Sequence, residues 1–307
     1  MIASYLFILF LIILLFALRF TLYTFFMSRE RLTITISKRL IQLLDEAIDG
    51  AKIRNRSHAI EYFLGKSLAP KVSRAVILAG GEGLKMRPFT YEMPKCLIPA
   101  RGKPILEHAL DLLKKYEIRD VVLTIGHLGN KVRDHFGDGS RFGVKITYAD
   151  QGEGFRGTGG ALKATSDLVG EKPFLLLYGD VLADINLNDL LDFHKSHGKI
   201  MTMALTSVED SSIWGVVKLH GAQIRDFREK PRASQQLSRL INAGIYVVEP
   251  KIFDYFPRKN IFRLEKEVFP KLAAEDELCG YPFEGQWFDI GTPEIYARVI
   301  REWKGIK

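Results

Sequence analysis

Hydrophobic and polar positions fall into three successive patterns along the chain. Residues 2–18 (IASYLFILFLIILLFAL) carry no charge, and Arg19 is the only charged residue before Arg29. A run of that length is about enough to cross a bilayer as a helix. From Arg31 the pattern becomes strict alternation: Leu32, Ile34 and Ile36 face one way, while Arg31, Thr33, Thr35 and Ser37 face the other. That period of two predicts a strand with one apolar face. Helical spacing follows from Lys38 to Ile48, with Leu40, Ile41, Leu44 and Ile48 on one side, and stops at Gly50. Ser57 is placed to cap a second helix carrying Ile60, Phe63, Leu64 and Leu68.

Beyond Val72 short apolar runs alternate with helical stretches. Strands are predicted at Ala75–Ala79, Asp120–Thr124, Lys145–Tyr148, Phe174–Tyr178, Ile200–Leu205, Gly215–Leu219 and Gly244–Val248. Helices are predicted at Ile105–Lys115, Gly129–Phe136, Gly160–Ser166, Asn188–Ser196, Lys251–Phe256 and Leu264–Ala274. This rhythm predicts an α/β fold, a mostly parallel, doubly wound sheet with its ligand crevice at the strand C-termini. The chain thus divides into residues 1–27, 28–70 and 71–307.

Composition narrows the classes only modestly. The 307 residues carry a net charge of +8, a basic excess that fits nucleotide, nucleic acid or anionic lipid alike. Two cysteines far apart, Cys96 and Cys279, offer neither a disulfide framework nor zinc spacing. The seven histidines are scattered without metal-ligand spacing. For residues 1–27 two readings stand. One is a transmembrane helix, with Arg19, Arg29 and Arg31 keeping the rest of the chain cytoplasmic. The other is an over-extended reading frame, because Met27 opens MSRERLTITIS as a protein start would. No basic stretch precedes the apolar run and no small-residue cleavage site follows it, which argues against a secretory signal.

The chemistry concentrates in AVILAGGEGLKMRPFTYEMPKCLIPARGKP, from Ala75 to Pro104. An apolar strand ends at Gly80, Gly81 and Gly83, where the backbone can bend sharply and present N–H groups to an anion. Lys85, Arg87 and Lys95 follow, and Pro88 and Pro94 stiffen the loop. The string is neither a Walker loop nor a G-x-G-x-x-G fingerprint. It resembles the signature of the sugar-1-phosphate nucleotidyltransferases, LAGGxGTRLRPLTxxxPKPLxPVxGKPxL, and the resemblance continues over most of residues 72–302.

That resemblance implies a nucleotide-diphospho-sugar transferase fold, Rossmann-like in its sheet. It also implies Mg²⁺-dependent transfer of a nucleotidyl group from an NTP to a sugar 1-phosphate. Leu78, Ala79, Gly80, Gly81, Gly83, Gly157 and Thr158 would bind nucleotide. The last two belong to GTGGAL, whose helix N-terminus would offer free N–H groups. Lys95, Lys85 and Arg87 would neutralise the α-phosphate and the leaving pyrophosphate. Asp180, in LYGDVL, and Asp289, in WFDIGTP, would hold Mg²⁺. Glu229 and Lys230, in FREKP, and Asn242, in NAGIY, would take the sugar phosphate. GTGGAL and EKEVFPKLA favour the mannose-1-phosphate guanylyltransferase branch, with glucose-1-phosphate thymidylyl- or uridylyltransferase close behind. At Leu84-Lys85 the chain departs from the family's Thr-Arg, losing a hydroxyl and a guanidinium fork.

Residues 28–70, strand then helix then basic turn then helix, resemble a ribbon-helix-helix domain. In that family two chains pair their strands, so Arg31, Thr33 and Thr35 would face DNA and the second helix start, near Arg56–Ser57, would hold phosphate. Eight Lys/Arg against five Asp/Glu give this segment +3. So short a unit buries little alone, which predicts a homodimer. A dimerisation module that touches no DNA remains the other reading. At the level of the whole chain, the alternative to an enzyme is a DNA-binding or scaffold regulator whose transferase fold senses sugar nucleotides.

Overall fold

The computed structural model describes residues 33–50, 53–68, 72–152, 154–232 and 237–306. Chain contacts divide it into two units, Met1–Ala69 and Pro70–Lys307. The apolar run over residues 1–27 and the possible DNA contact Arg31 lie outside the described residues. No described helix is long and apolar enough to cross a membrane.

In the first unit, Thr33–Ser37 takes up no strand pairing among the described residues. A strand is stabilised by its ladder, and the expected ribbon draws its second strand from another copy. Ser37 instead caps a helix over Lys38–Glu46, its hydroxyl accepting from Leu40 N at 3.4 Å. The second helix, Arg56–Leu68, starts one residue before Ser57. Asn55 caps it, with Oδ1 accepting from His58 N at 2.9 Å. That corrects the assignment of Ser57, and Asn is as good a cap because its oxygen accepts from the helix's third N–H. Arg56 also differs from expectation. Its guanidinium forks onto the Asp45 carboxylate at 2.6 and 2.7 Å, so it is already committed to an anion. Among the described residues here only Ile53 and Ala59 are buried apolar side chains, whereas Ile34, Leu40, Leu43, Phe63 and Leu64 are exposed.

The second unit is built on strands β1 (Arg74–Leu78), β2 (Pro99–Ala100), β3 (Lys103–Pro104), β4 (Asp120–Ile125), β5 (Lys145–Asp150), β6 (Phe174–Tyr178), β7 (Val181–Ala183), β8 (Met201–Ser207), β9 (Gly215–His220), β10 (Gln223–Glu229), β11 (Leu240–Val248), β12 (Leu278–Pro282) and β13 (Trp287–Asp289). Nine of them form one sheet in the order β5-β4-β1-β6-β11-β8-β12-β10-β9. Only β10 and β11 oppose the common direction. The mostly parallel, two-faced sheet expected from the sequence is therefore present. Its faces read off β1: Ala75 and Ile77 enter one apolar cluster and Val76 enters the other. A third cluster forms from Met86, Ile98, Leu182, Phe288, Ile290, Val299 and Trp303, and Met86 in it pins the signature loop down.

Several boundaries differ from the pattern-based expectation. The predicted helix 264–274 is two pieces, Leu264–Glu267 and Phe269–Ala274, because Pro270 cannot donate within a continuous helix. The predicted 160–166 helix is Gly157–Lys163 followed by Ser166–Val169. Residues 250–255 are a 3-10 helix. Six strands lie outside the predicted set, β2, β3, β7, β10, β12 and β13; β2, β3, β7 and β13 are two or three residues long, too short for a period to register.

Candidate active site

At the C-terminal ends of β1 and β6 the sheet opens into a cleft of about 350 Å³. β1 lies between β4 and β6, so connections diverge on either side of it, the place where an open parallel sheet offers a crevice. Leu78, Ala79, Gly80 and Gly81 run along this edge and line the cleft. Gly80 packs closely on a side-chain end: a Cβ there would lie 2.6 Å from Gln151 Oε1, and the amide would have to shift. Gln151, just past β5, holds its amide against this glycine while Nε2 donates to Thr124 Oγ1 at 3.3 Å.

The acidic end is assembled by a strand pair. β13 runs antiparallel to β7 with Asp289 opposite Val181, and Ile290 N donates to Asp180 O at 3.0 Å. Two carboxylates more than a hundred residues apart thereby share one wall. Lys95 Nζ sits 2.5 Å from Asp180 Oδ2, and Trp214 Nε1 donates to Asp289 Oδ2 at 3.3 Å. Burial, then the neighbouring Asp180, push the Asp289 carboxyl up to about 6, against the pull of Lys95. Burial works against the Lys95 charge, yet Asp180 and Asp289 together hold its pKa above the ordinary lysine value. Neighbouring Cys96, pushed up to about 12 by burial, is an inert thiol. No group of three or more His, Cys, Asp or Glu forms a ready metal cage among the described residues. Two hard carboxylates fit a different demand, that of an ion such as Mg²⁺, which keeps waters and takes its remaining ligands from phosphate.

The opposite end is built from β10, β11 and the helix at Leu264. Glu229 closes β10, and Lys230 turns away with φ +48, its N–H donating to Trp214 O at 3.0 Å. Asn242 sits where β11 loses register with β8, and its Oδ1 accepts from Gly244 N at 2.9 Å. That leaves the Asn242 amide N–H groups as the donors it can offer. Glu265 Oε1 accepts from Tyr178 OH and Oε2 accepts from Thr158 Oγ1, both at 2.6 Å. Burial, then Glu265, raise the pKa of Glu229, which Lys230 at 3.4 Å opposes.

Twelve residues singled out from the sequence line this one cleft: Leu78, Ala79, Gly80, Gly81, Lys95, Gly157, Thr158, Asp180, Glu229, Lys230, Asn242 and Asp289. Gly83, Lys85 and Arg87 do not border it. Leu84–Met86 is a single 3-10 turn whose Met86 is buried, and Arg87 lies over the Tyr91 ring at 5.0 Å. The free helix N-terminus expected in GTGGAL is corrected in part, since its third and fourth N–H groups are taken by backbone. Gly159 N and Gly160 N both donate to Phe262 O, at 3.1 and 3.3 Å. The glycines allow that contact: a Cβ at Gly157 would meet Phe262 O at 2.3 Å and one at Gly160 would meet Asn260 O at 2.2 Å.

Sequence reasoning missed Gln151, Tyr178, Trp214, Glu265 and Trp287, all of which line the cleft. Tyr178 carried a signal, ending the strand two residues before Asp180. Glu265 carried another, opening the EKEVFPKLA string, which served only to rank branches of the family.

A glycine edge, a buried lysine and paired carboxylates at the opening of a largely one-directional sheet place the chain in the class of α/β proteins with a polar crevice at the strand ends. The nucleotidyl transferase family model matches residues 74–304, and the chain belongs to that family. It is 34% identical over 246 residues to a UTP–glucose-1-phosphate uridylyltransferase of Synechocystis, covering 74% of this chain and 62% of the relative. It is 35% identical over 241 residues to the mannose-1-phosphate guanyltransferase beta-A of Xenopus laevis, covering 75% and 66%. The chain thus spans about two thirds or less of the length of these relatives. A crystal structure of UDP-glucose pyrophosphorylase complexed with UDP-glucose shares the fold, with TM-score 0.66 at 21% identity over 76% of this chain and 98% of that one.

Proposed function

We propose that the chain transfers a nucleotidyl group from an NTP to a sugar 1-phosphate, giving an NDP-sugar and pyrophosphate. GTP with mannose 1-phosphate is the favoured pair. One observation carries this reading: the glycine edge, the Lys95–Asp180–Asp289 group and the Glu229–Asn242–Glu265 group line the same cleft. A sugar-phosphate oxygen attacks the α-phosphorus as the bond to the bridging β-oxygen breaks, and both electrons leave with pyrophosphate. The nucleophile is already ionised, so no general base is needed. Ala79, Gly80 and Gly81 give the nucleotide a wall without side-chain bulk. Asp180 and Asp289 would hold Mg²⁺, which supplies positive charge to the reacting phosphates. Lys95 then exchanges its carboxylate partner for the α-phosphate. Glu229, Glu265 and the Asn242 amide orient the sugar, while Lys230 meets its phosphate.

Lys85 and Arg87 reach the leaving group in this reading only if the signature turn moves when nucleotide binds. Residues 28–70 are assigned to pairing with a second copy, since their helices leave Leu40, Leu43, Phe63 and Leu64 exposed. DNA contact through Thr33 and Thr35, with Arg31, would require that pairing first. Residues 1–27, where they insert in a membrane, would anchor the enzyme on its cytoplasmic side. Pyrophosphate release measured over four NTPs and a panel of sugar 1-phosphates tests the activity. Turnover with at least one pair is expected. Nucleotide binding without turnover by any pair would overturn the enzyme reading in favour of a sensor.

A further inference from the structure

A second recess lies between the β2–β3 hairpin, the helix Ile105–Lys115 and the segment after the C-terminal helix. Arg101, Lys103, His108, Asp111, Lys115 and Gly305–Ile306 line it, and none of them lines the substrate cleft. Its volume, about 380 Å³, falls in the ~300–1,000 Å³ range of small-molecule sites.

The lining is cationic by construction. Arg101, Lys103 and Lys115 stand against one carboxylate, Asp111, for a net +2. Asp111 is itself shared: it accepts from Lys103 Nζ, and from Lys114 Nζ at 2.8 Å. Burial raises its pKa, yet the two lysines win and hold the carboxyl below its ordinary value. His108 adds a neutral ring. Trp303 Nε1 points at its Nδ1 from 3.4 Å and Ala100 O lies 2.9 Å from its Nε2, while burial lowers its pKa.

Arg101 is the informative residue. It and Gly102 close a two-residue hairpin with φ +49 and +83. Such a turn favours Asn-Gly, and a long side chain in the left-handed region is disfavoured. Arginine nonetheless occupies the position, on the rim of the recess. One of its donors reaches Trp303 O at 2.9 Å, which uses a single N–H of the five a guanidinium carries. Its remaining donors, in a recess that Lys103 and Lys115 also line, suit the oxygens of a phosphate.

We propose that this recess binds a phosphorylated small anion at a site separate from the substrate cleft. The proposal is independent of which sugar or base the cleft takes. It is tested by titrating inorganic phosphate, and in parallel glycerol 3-phosphate, into the full chain by calorimetry. One equivalent is expected to bind equally well to the unaltered chain and to the Lys95→Met variant, whose cleft has lost the ammonium that would meet phosphate. Lys115→Gln and Arg101→Gln should each weaken that binding by about tenfold. Turnover of the Lys115→Gln chain without added phosphate should stay within about twofold of the unaltered chain, as for other surface substitutions. Tighter binding of glycerol 3-phosphate would identify an ester as the ligand, and equal binding would identify the phosphate group alone. Unchanged binding in both Lys115→Gln and Arg101→Gln, loss of binding with Lys95→Met, or no binding to the unaltered chain would each overturn the proposal. Arg101 also supports the Trp303 carbonyl, so if Arg101→Gln unfolds the chain, Lys115→Gln decides alone from its exposed helix position.

Discussion

At one end of the cleft Asp180 and Asp289 share Lys95; at the other, Glu229 and Glu265 face each other with Tyr178 and Thr158 behind Glu265. Both ends hold acid pairs, and burial, then the neighbouring acid, raises the pKa of one member of each. What differs is the partner. A mobile ammonium at 2.5 Å neutralises Asp180, whereas two neutral hydroxyls at 2.6 Å hold Glu265. A cation can be exchanged for another cation, so the first pair suits metal and phosphate charge. Hydroxyl donors fix an acceptor in place while leaving its charge intact, so the second suits sugar hydroxyls. Under the proposed function, charge chemistry and sugar recognition would be separated within one crevice by the kind of side chain that supports each acid.

The most direct way to break this contrast is to neutralise one acid at each end. Asp180→Asn should lower kcat by about 10³-fold, ~4 kcal/mol of transition-state stabilisation, with little change in sugar KM. Glu265→Gln should do the reverse, raising KM for the sugar 1-phosphate by about 10- to 100-fold, with kcat reduced less. Tyr178→Phe removes one hydrogen bond to Glu265 and should reproduce that KM defect more weakly, by roughly tenfold. Tyr178 acts here as a positioning residue. Steady-state kinetics with varied sugar phosphate would check all three. A kcat defect from Glu265→Gln matching that of Asp180→Asn would end the separation.

A pH profile sharpens the acidic end alone. With the Asp289 carboxyl near 6, activity at limiting Mg²⁺ should fall below pH 6, by about tenfold per unit once the proton is taken up. Saturating Mg²⁺ should move that limb downward, since metal favours the ionised form. Lys95→Met should move it upward, because Lys95 lowers the Asp289 pKa. Stability follows the same linkage in the metal-free chain. A folded pKa above the unfolded value means this group's contribution is full below about pH 3.8 and is lost as pH rises through 6. Thermal melts with and without Mg²⁺ across pH 4 to 7 would read it directly.

Much of this cleft was legible in the sequence, and the reasons are physical. β1 is buried on both faces, so it reads as an unbroken apolar run, and the glycines after it mark the crevice. Asp180 follows an equally apolar strand. Asp289 was legible only through resemblance, because β13 is three residues long and its pairing with β7 is a contact across the chain. Glu265 was hidden for a related reason: Pro270 splits its helix, and nothing local says that Thr158 and Tyr178 will meet it. The GTGGAL helix start suggests free N–H groups because sequence cannot distinguish room for a ligand from room for another backbone. Here the backbone at Asn260 and Phe262 fills it. The first unit taught the same lesson at Arg56, whose charge suggested phosphate until Asp45 proved to hold it.

The smallest effect is expected where the signature departs most from its family. Leu84 stands where the family has Thr, is 56% exposed, and does not border the cleft. Its neighbour Met86 is the residue that anchors the turn in the third core cluster. Leu84→Thr therefore changes neither the acidic end nor the sugar end, and it leaves the anchor alone. Turnover within about twofold of the unaltered chain, and stability within about 0.5 kcal/mol, are expected. Met86→Ala, by contrast, should cost about 2–5 kcal/mol by emptying a packed site. Lys85→Arg gives the decisive comparison with these two. If it raises kcat several-fold while Leu84→Thr does not, the signature turn must swing over the leaving group during the reaction, and a third charged element joins the acidic end. If neither changes kcat, the Lys95–Asp180–Asp289 group carries the charge chemistry without the turn.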